Sequence, residues 1–176
     1  CIDRWVETLK DQPAIVWEGE DGTVTTLTYS ELDWKVKLFA GGLAGNGITK
    51  GDAVGIHLPM LPETVIALLA IARVGAIAVP VFSGYGVDAI ASRMNAVGAK
   101  MLITCEGYSR RGKFVDAFAT AAEAVKASPA IEKVIVVGEN EKPKSIGNAE
   151  ILMWNSAEHF GSIYEDLTDL VPTSAE

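Results

Sequence analysis

A repeated unit of one apolar run followed by one helical pattern constrains the fold of this chain most strongly. Three glycines introduce the apolar runs, Gly51, Gly75 and Gly98, and they lie 24 and 23 residues apart. That period suits one β-strand plus one α-helix. The runs are continuously apolar, as in a parallel sheet that is covered on both faces. We therefore predict an α/β fold with a doubly wound, mostly parallel sheet.

The patterns around this repeat predict further elements. Before the repeat, we expect an N-terminal helix over residues 1–12 and a small hairpin formed by 14–17 and 24–27. A capping box at Thr28 and Glu31 predicts the start of a helix that ends at about residue 45. Within and after the repeat, we expect helices over 62–73, 87–97 and about 110–127, and a fourth strand over 133–137. After Gly138 the pattern weakens, with one short strand possible at 151–154. We accordingly divide the chain into an α/β subdomain, 1–138, and an acidic extension and linker, 139–176.

Charge and hydropathy exclude two broad classes of protein. The formal net charge is -8, and residues 139–176 account for -6 of it. A general nucleic-acid binder would need a broad basic face, so none is expected. The most apolar stretch, 64–82, is interrupted by Arg73 and Gly75, so we predict no membrane span. Two cysteines cannot form a disulfide framework, and we expect a cytoplasmic protein.

The stretch 100–113 contains the strongest candidate for a binding site. An apolar run leads into Gly107, and Arg110, Arg111 and Lys113 follow where a new helical pattern begins. A helix N-terminus offers free N–H groups and a positive dipole, and three cations there favour a phosphate-bearing ligand. The alternative is a solvated basic turn that contacts nothing. A second loop at the carboxyl end of a strand, around Gly84, is the other candidate.

Sequence motifs for catalysis are missing. The chain has no Walker A loop and no Gly-x-Gly-x-x-Gly fingerprint. The two histidines, His57 and His159, and Cys105 are more typical of structural positions than of a catalytic group. We predict no catalytic residue and no metal ligands within this chain.

Four stretches together resemble one family: AIVWEGEDGTVTTLTYSEL (14–32), GITKGDAVGIHLPMLPE (47–63), RVGAIAVPVFSGYG (73–86) and AKMLITCEGYSRRGK (99–113). Their order and spacing are similar to the N-terminal part of the adenylate-forming acyl-CoA synthetases, closest to the acetyl-CoA synthetase branch. The resemblance implies that Arg110 and Lys113 hold the 3′-phosphate and adenine end of coenzyme A (CoA), and that the loop around Gly84 lines the same site. Lys113 stands where arginine is usual, and Arg111 is an additional cation that can share the contact.

The resemblance also implies a function for a larger protein. That protein would make acyl-CoA from a short or medium carboxylate, ATP (with Mg) and CoA through an acyl-adenylate. We expect the present chain to be a fragment that is inactive as a ligase, binds no cofactor tightly and self-associates through an exposed apolar face. A self-standing CoA- or nucleotide-binding module without catalysis is the alternative.

Overall fold

The architecture was taken from a computed structural model that describes residues 2–163. Its helices are α1 (Asp3–Leu9), α2 (Tyr29–Gly45), α3 (Pro62–Val74), α4 (Val87–Val97), α5 (Ala117–Lys126) and α6 (Trp154–Ile163). Its strands are β1 (Pro13–Glu18), β2 (Val24–Thr28), β3 (Ala53–His57), β4 (Ile77–Pro80), β5 (Met101–Cys105), β6 (Tyr108–Arg110), β7 (Lys113–Val115), β8 (Lys133–Val137), β9 (Ser145–Ile146) and β10 (Ala149–Met153).

A six-stranded sheet in the order β4-β3-β5-β8-β10-β9 forms the centre of the fold. Its first five strands pair in parallel, and only β9 runs antiparallel to its neighbour β10. The chain winds from β3 outward to β4, and then returns across β3 to continue through β5, β8 and β10. This reversal makes a doubly wound sheet with a switch point between β3 and β5, which confirms the predicted fold class.

Helices cover both faces of the sheet. Alternate strand residues, such as Ile56 and Ile103, point into a core shared with α2, α3 and α6. The residues between them, such as Leu102 and Val134, point into a second core shared with α4 and α5. Because both faces are buried, the strands need no polar positions, which explains their continuous apolar sequence.

Helix α6 packs closely along α2. The rings of Phe39 and Trp154 stack with centroids 3.8 Å apart and an interplanar angle of 16°. A Cβ atom on Gly42 would collide with the backbone carbonyl of Ala157, and one on Gly161 would collide with that of Leu38. The two glycines therefore set the short distance between the helices, and the segment after Gly138 joins the same core as α2.

Several local predictions are confirmed. The N-terminal hairpin forms from β1 and β2, which pair antiparallel. The capping box is present as well: Glu31 N–H donates to Thr28 Oγ1 at 3.2 Å, and Thr28 N–H donates to Glu31 Oε2 at 2.8 Å. These elements depend on residues close in sequence, which is why their patterns were readable. Among residues 2–163, the helices are too short or too polar to cross a membrane.

The predicted helix over 110–127 is wrong in its first part. Strands β6 and β7 form an antiparallel hairpin there, and α5 begins only at Ala117. Arg111 and Gly112 connect the strands with φ values of 54° and 71°. Two consecutive positive φ values make a two-residue hairpin turn, a backbone that a right-handed helix cannot contain. The helix N-cap is instead Asp116, whose Oδ1 accepts the Ala119 N–H at 2.8 Å.

Candidate functional site

The two predicted loops lie at the carboxyl edge of the sheet, on either side of the end of β3. The loop over residues 82–86 follows β4, and the hairpin formed by β6 and β7 follows β5. Strand β3 lies between β4 and β5, so both loops flank the switch point. In open α/β sheets this edge is where ligands bind. We call the segment 108–115 the basic hairpin.

The register of the basic hairpin brings two of the predicted cations together. Arg110 lies directly opposite Lys113, and Tyr108 lies opposite Val115. Opposed residues in an antiparallel pair share a face, and residues two apart share it too, so all four side chains belong to one face. Two like charges at directly opposed positions repel each other. An anion bound beside both cations would relieve that repulsion.

Contacts connect this face with the second loop. The Tyr108 hydroxyl donates to the Ser83 carbonyl oxygen at 3.0 Å. The guanidinium carbon of Arg110 lies 5.8 Å from the centroid of the Phe82 ring, which is 56% exposed. An exposed ring beside a cation is a surface on which a planar base can stack.

Gly84 contributes through its lack of a side chain. A Cβ atom there would lie 2.7 Å from the nearest ring carbon of Phe82. A larger residue would therefore displace the ring that Arg110 faces. The structure thus groups Gly84, Arg110 and Lys113 around one short stretch of the carboxyl edge.

The predicted role of a helix N-terminus at this site is wrong. The helix that follows begins after Asp116, and the Asp116 carboxylate already accepts one of its first N–H groups, that of Ala119. Arg111 occupies the hairpin turn, and its backbone N–H donates to Glu20 Oε1 in the β1–β2 turn at 2.8 Å. The cations are therefore presented by a β-hairpin and not by a helix dipole.

The base of the basic hairpin is held by a residue that the sequence did not single out. Glu106 accepts hydrogen bonds from the backbone N–H and Nδ2 of Asn140, both at 2.7 Å, and pairs with Lys142 at 3.1 Å. Burial acts to raise the pKa of Glu106, but the hydrogen bonds from Asn140 and Lys142 outweigh it and lower that pKa. Glu106 therefore ties the start of the hairpin to the loop that follows β8.

His57 lies buried at the switch point, 1% exposed. Its Nδ1 is 3.3 Å from Thr104 Oγ1 on the neighbouring strand. Burial lowers the pKa of His57 below its ordinary value of 6.5, and the backbone of Ser83 acts weakly in the opposite direction. The lowered pKa keeps the ring neutral beneath the loop at 82–86.

This lowered pKa makes stability depend on pH. The unfolded chain binds a proton on His57 more readily than the folded chain does, so the stabilisation is present above the unfolded pKa. It is lost as pH falls below about 6.5. We expect the free energy of unfolding, measured with urea, to fall less steeply between about pH 7 and pH 5.5 in His57→Gln than in the wild type. His159→Gln is the matched control, because His159 is exposed. If the free energy of unfolding fell equally steeply with pH in His57→Gln and in the wild type, the lowered pKa of His57 would be contradicted.

Cys105 is a further reactive side chain at the carboxyl end of β5. Cys105 is buried, and burial raises the pKa of its thiol to about 11, so it stays protonated. Within residues 2–163, no three His, Cys, Asp or Glu side chains come together as metal ligands.

Two cavities border the carboxyl edge. A hollow of about 300 Å³ lies at the ends of β3 and β4 and reaches Phe82 and Ser83. A larger one, of about 400 Å³, lies under the β1–β2 hairpin and is lined by Trp17, Glu63 and Trp154 among others. The smaller cavity adjoins the loop of Gly84. The larger one is lined by neither that loop nor the basic hairpin.

The strand order defines a doubly wound α/β protein, with a candidate binding site at its switch point. The family model described as "AMP-binding enzyme" matches residues 2–162. The chain therefore belongs to the AMP-binding enzymes, and the resemblance found in the sequence is confirmed.

Relatives with known names agree with this membership. The chain is 46% identical over 138 residues to the acetyl-coenzyme A synthetase of Gemmatimonas aurantiaca, which covers 78% of this chain and 21% of the relative. It is 40% identical over 166 residues to that of Streptomyces avermitilis, covering 90% of this chain and 26% of the relative. The acetoacetyl-CoA synthetase structure from Streptomyces lividans matches with a TM-score of 0.81 and 30% identity, covering 88% of this chain and 24% of that chain. The chain thus spans about a fifth to a quarter of the length of these relatives.

Proposed function

We propose that this chain forms part of an AMP-forming acyl-CoA ligase of the cytoplasm. The reaction joins a short or medium carboxylate to CoA at the expense of ATP, through an acyl-adenylate. Family membership and the acetyl-coenzyme A synthetase relatives support this proposal. Within the reaction, we assign to this chain the binding of CoA by its phosphorylated adenosine end.

The observation that carries this assignment is the pairing of Arg110 with Lys113 across the basic hairpin. CoA carries a 3′-phosphate on its ribose, and two adjacent cations match that charge. Arginine binds phosphate through a planar fork, whereas lysine supplies a compact point charge. Arg110 therefore orients the phosphate, and Lys113 adds an electrostatic attraction that depends less on direction.

The rest of the site suits the adenine. Phe82 presents an exposed ring beside Arg110, and the ring can keep this position because Gly84 has no side chain. A base stacked on such a ring gains about 1–3 kcal/mol. The Tyr108–Ser83 hydrogen bond keeps the phosphate-binding face and the stacking surface at a fixed separation. The chain thereby supplies orientation and charge for CoA, and none of the chemistry at the acyl group.

Comparison of CoA with dephospho-CoA, which lacks the 3′-phosphate, tests this proposal. We expect the 176-residue chain to bind CoA about tenfold more tightly in isothermal titration calorimetry, because only CoA offers a 3′-phosphate to Arg110 and Lys113. The preference should shrink as salt concentration rises, because the contact is exposed. Equal affinities for the two ligands at low salt would remove the phosphate-binding role.

A further inference from the structure

The turn between β1 and β2 reaches the tip of the basic hairpin. Residues 19–22 form this turn, which we call the acidic turn because it carries Glu20 and Asp21. Glu20 Oε1 accepts the backbone N–H of Arg111 at 2.8 Å, across 91 residues of sequence. Asp21 instead holds the acidic turn itself together by accepting the Thr23 N–H at 2.9 Å. Only one of the two carboxylates therefore contacts the basic hairpin.

Glu20 lies next to the two cations that would bind a ligand anion. The Arg111 N–H lies in the turn that directly links Arg110 to Lys113. A carboxylate held there carries the same sign of charge as a phosphate that approaches Arg110 and Lys113. Glu20 thus occupies a backbone hydrogen-bond donor of the basic hairpin from within the chain.

We propose that Glu20 is an internal competitor for the anion site of the basic hairpin. When the 3′-phosphate of CoA approaches Arg110 and Lys113, the Glu20 carboxylate repels it, and binding requires the acidic turn to move away. This inference rests on the proposed CoA function and adds a regulatory contact to it. The same contact shields the paired cations from other anions while CoA is absent.

Displacement of the acidic turn is easy. Both Glu20 and Arg111 are exposed, and exposed charged contacts are weak because water and salt screen them. Glu20 therefore lowers the affinity for CoA by a modest factor and does not block the site.

Neutralising Glu20 tests the competition. We expect Glu20→Ala to bind CoA about two- to fivefold more tightly than the wild type, in the range of one exposed charge interaction. Glu20→Gln, which keeps an oxygen able to accept the Arg111 N–H, should change affinity in the same direction. Dephospho-CoA should bind all three proteins alike, because it lacks the group that competes.

Glu18→Gln is the matched control. Glu18 is an exposed carboxylate at the end of β1, so the variant loses the same charge from the same hairpin without touching the Arg111 contact. Its affinity for CoA should stay close to that of the wild type. Thermal unfolding of each variant establishes that the fold is intact.

The opposite result has a clear meaning. If Glu20→Ala binds CoA equally or more weakly while the wild type still prefers CoA over dephospho-CoA, Glu20 positions the basic hairpin and the competition is refuted. If the wild type itself shows no preference for CoA, the proposed function fails, whatever Glu20 does.

Discussion

Replacing both Arg110 and Lys113 with alanine should weaken CoA binding about tenfold, the same factor by which the 3′-phosphate strengthens binding to the wild type. Each cation supplies a charge-assisted hydrogen bond to phosphate, and the loss of one such bond costs about 1.5–3 kcal/mol. Both side chains are exposed, so screening by water and salt lowers each loss below that range, to about threefold. Dephospho-CoA has no 3′-phosphate that Arg110 and Lys113 could contact, so its affinity should change far less. Calorimetric titration of both ligands against the double variant measures the difference.

A control must remove the same charge from elsewhere in the chain. Lys50 and Lys126 precede strands at the opposite, amino edge of the sheet. The variant Lys50→Ala with Lys126→Ala should bind CoA almost as the wild type does. Equal weakening of CoA binding in the two double variants would show that net charge, and not the basic hairpin, sets the affinity.

Replacing Phe39 with alanine should destabilise the chain by about 3–5 kcal/mol, the usual cost of removing a buried aromatic ring. Phe39 is 0% exposed and stacks on Trp154, so its loss opens a cavity between α2 and α6. Phe39→Leu, which keeps much of the volume, should cost less. Urea unfolding at fixed pH gives these free energies.

Phe114→Ala provides the matched comparison. It deletes the same side chain from the basic hairpin, where the ring is 70% exposed, and should change the free energy of unfolding by at most about 0.5 kcal/mol. If Phe39→Ala lowered the free energy of unfolding by as little as Phe114→Ala does, α6 would not pack on α2 as the structure has it.

The strand–helix repeat was predictable because the pattern of apolar residues in each unit reflects how deeply that unit is buried. Continuous apolar runs identify strands that are buried on both sides, and the capping box marks a helix start within four residues. The error at residues 110–116 has a physical reason. Phe114 and Phe118 lie at helical spacing, so the pattern favoured one long helix. Gly112 was the contrary signal, since a glycine in a short polar loop permits the positive φ that a hairpin turn requires.

Part of the candidate site was also readable from the sequence. Arg110, Lys113 and Gly84 stand out because they follow predicted strands and match motifs of a known family. Contacts between the loops were not readable. The Tyr108–Ser83 bond spans 25 residues and the Arg111–Glu20 bond spans 91, and neither leaves a local pattern. Such partners are fixed by the sheet order, which the period of the repeat does not determine.

A titration of the 15N-labelled chain with adenosine 3′,5′-bisphosphate, the phosphorylated adenosine end of CoA, tests the central claim most directly. Two-dimensional NMR spectra then report which backbone amides change. The proposed site predicts the largest shifts in the basic hairpin, residues 108–115, and in the loop over 82–86. Shifts concentrated instead at Trp17, Glu63 and Trp154, around the larger cavity, would contradict it and place the ligand elsewhere on the sheet edge.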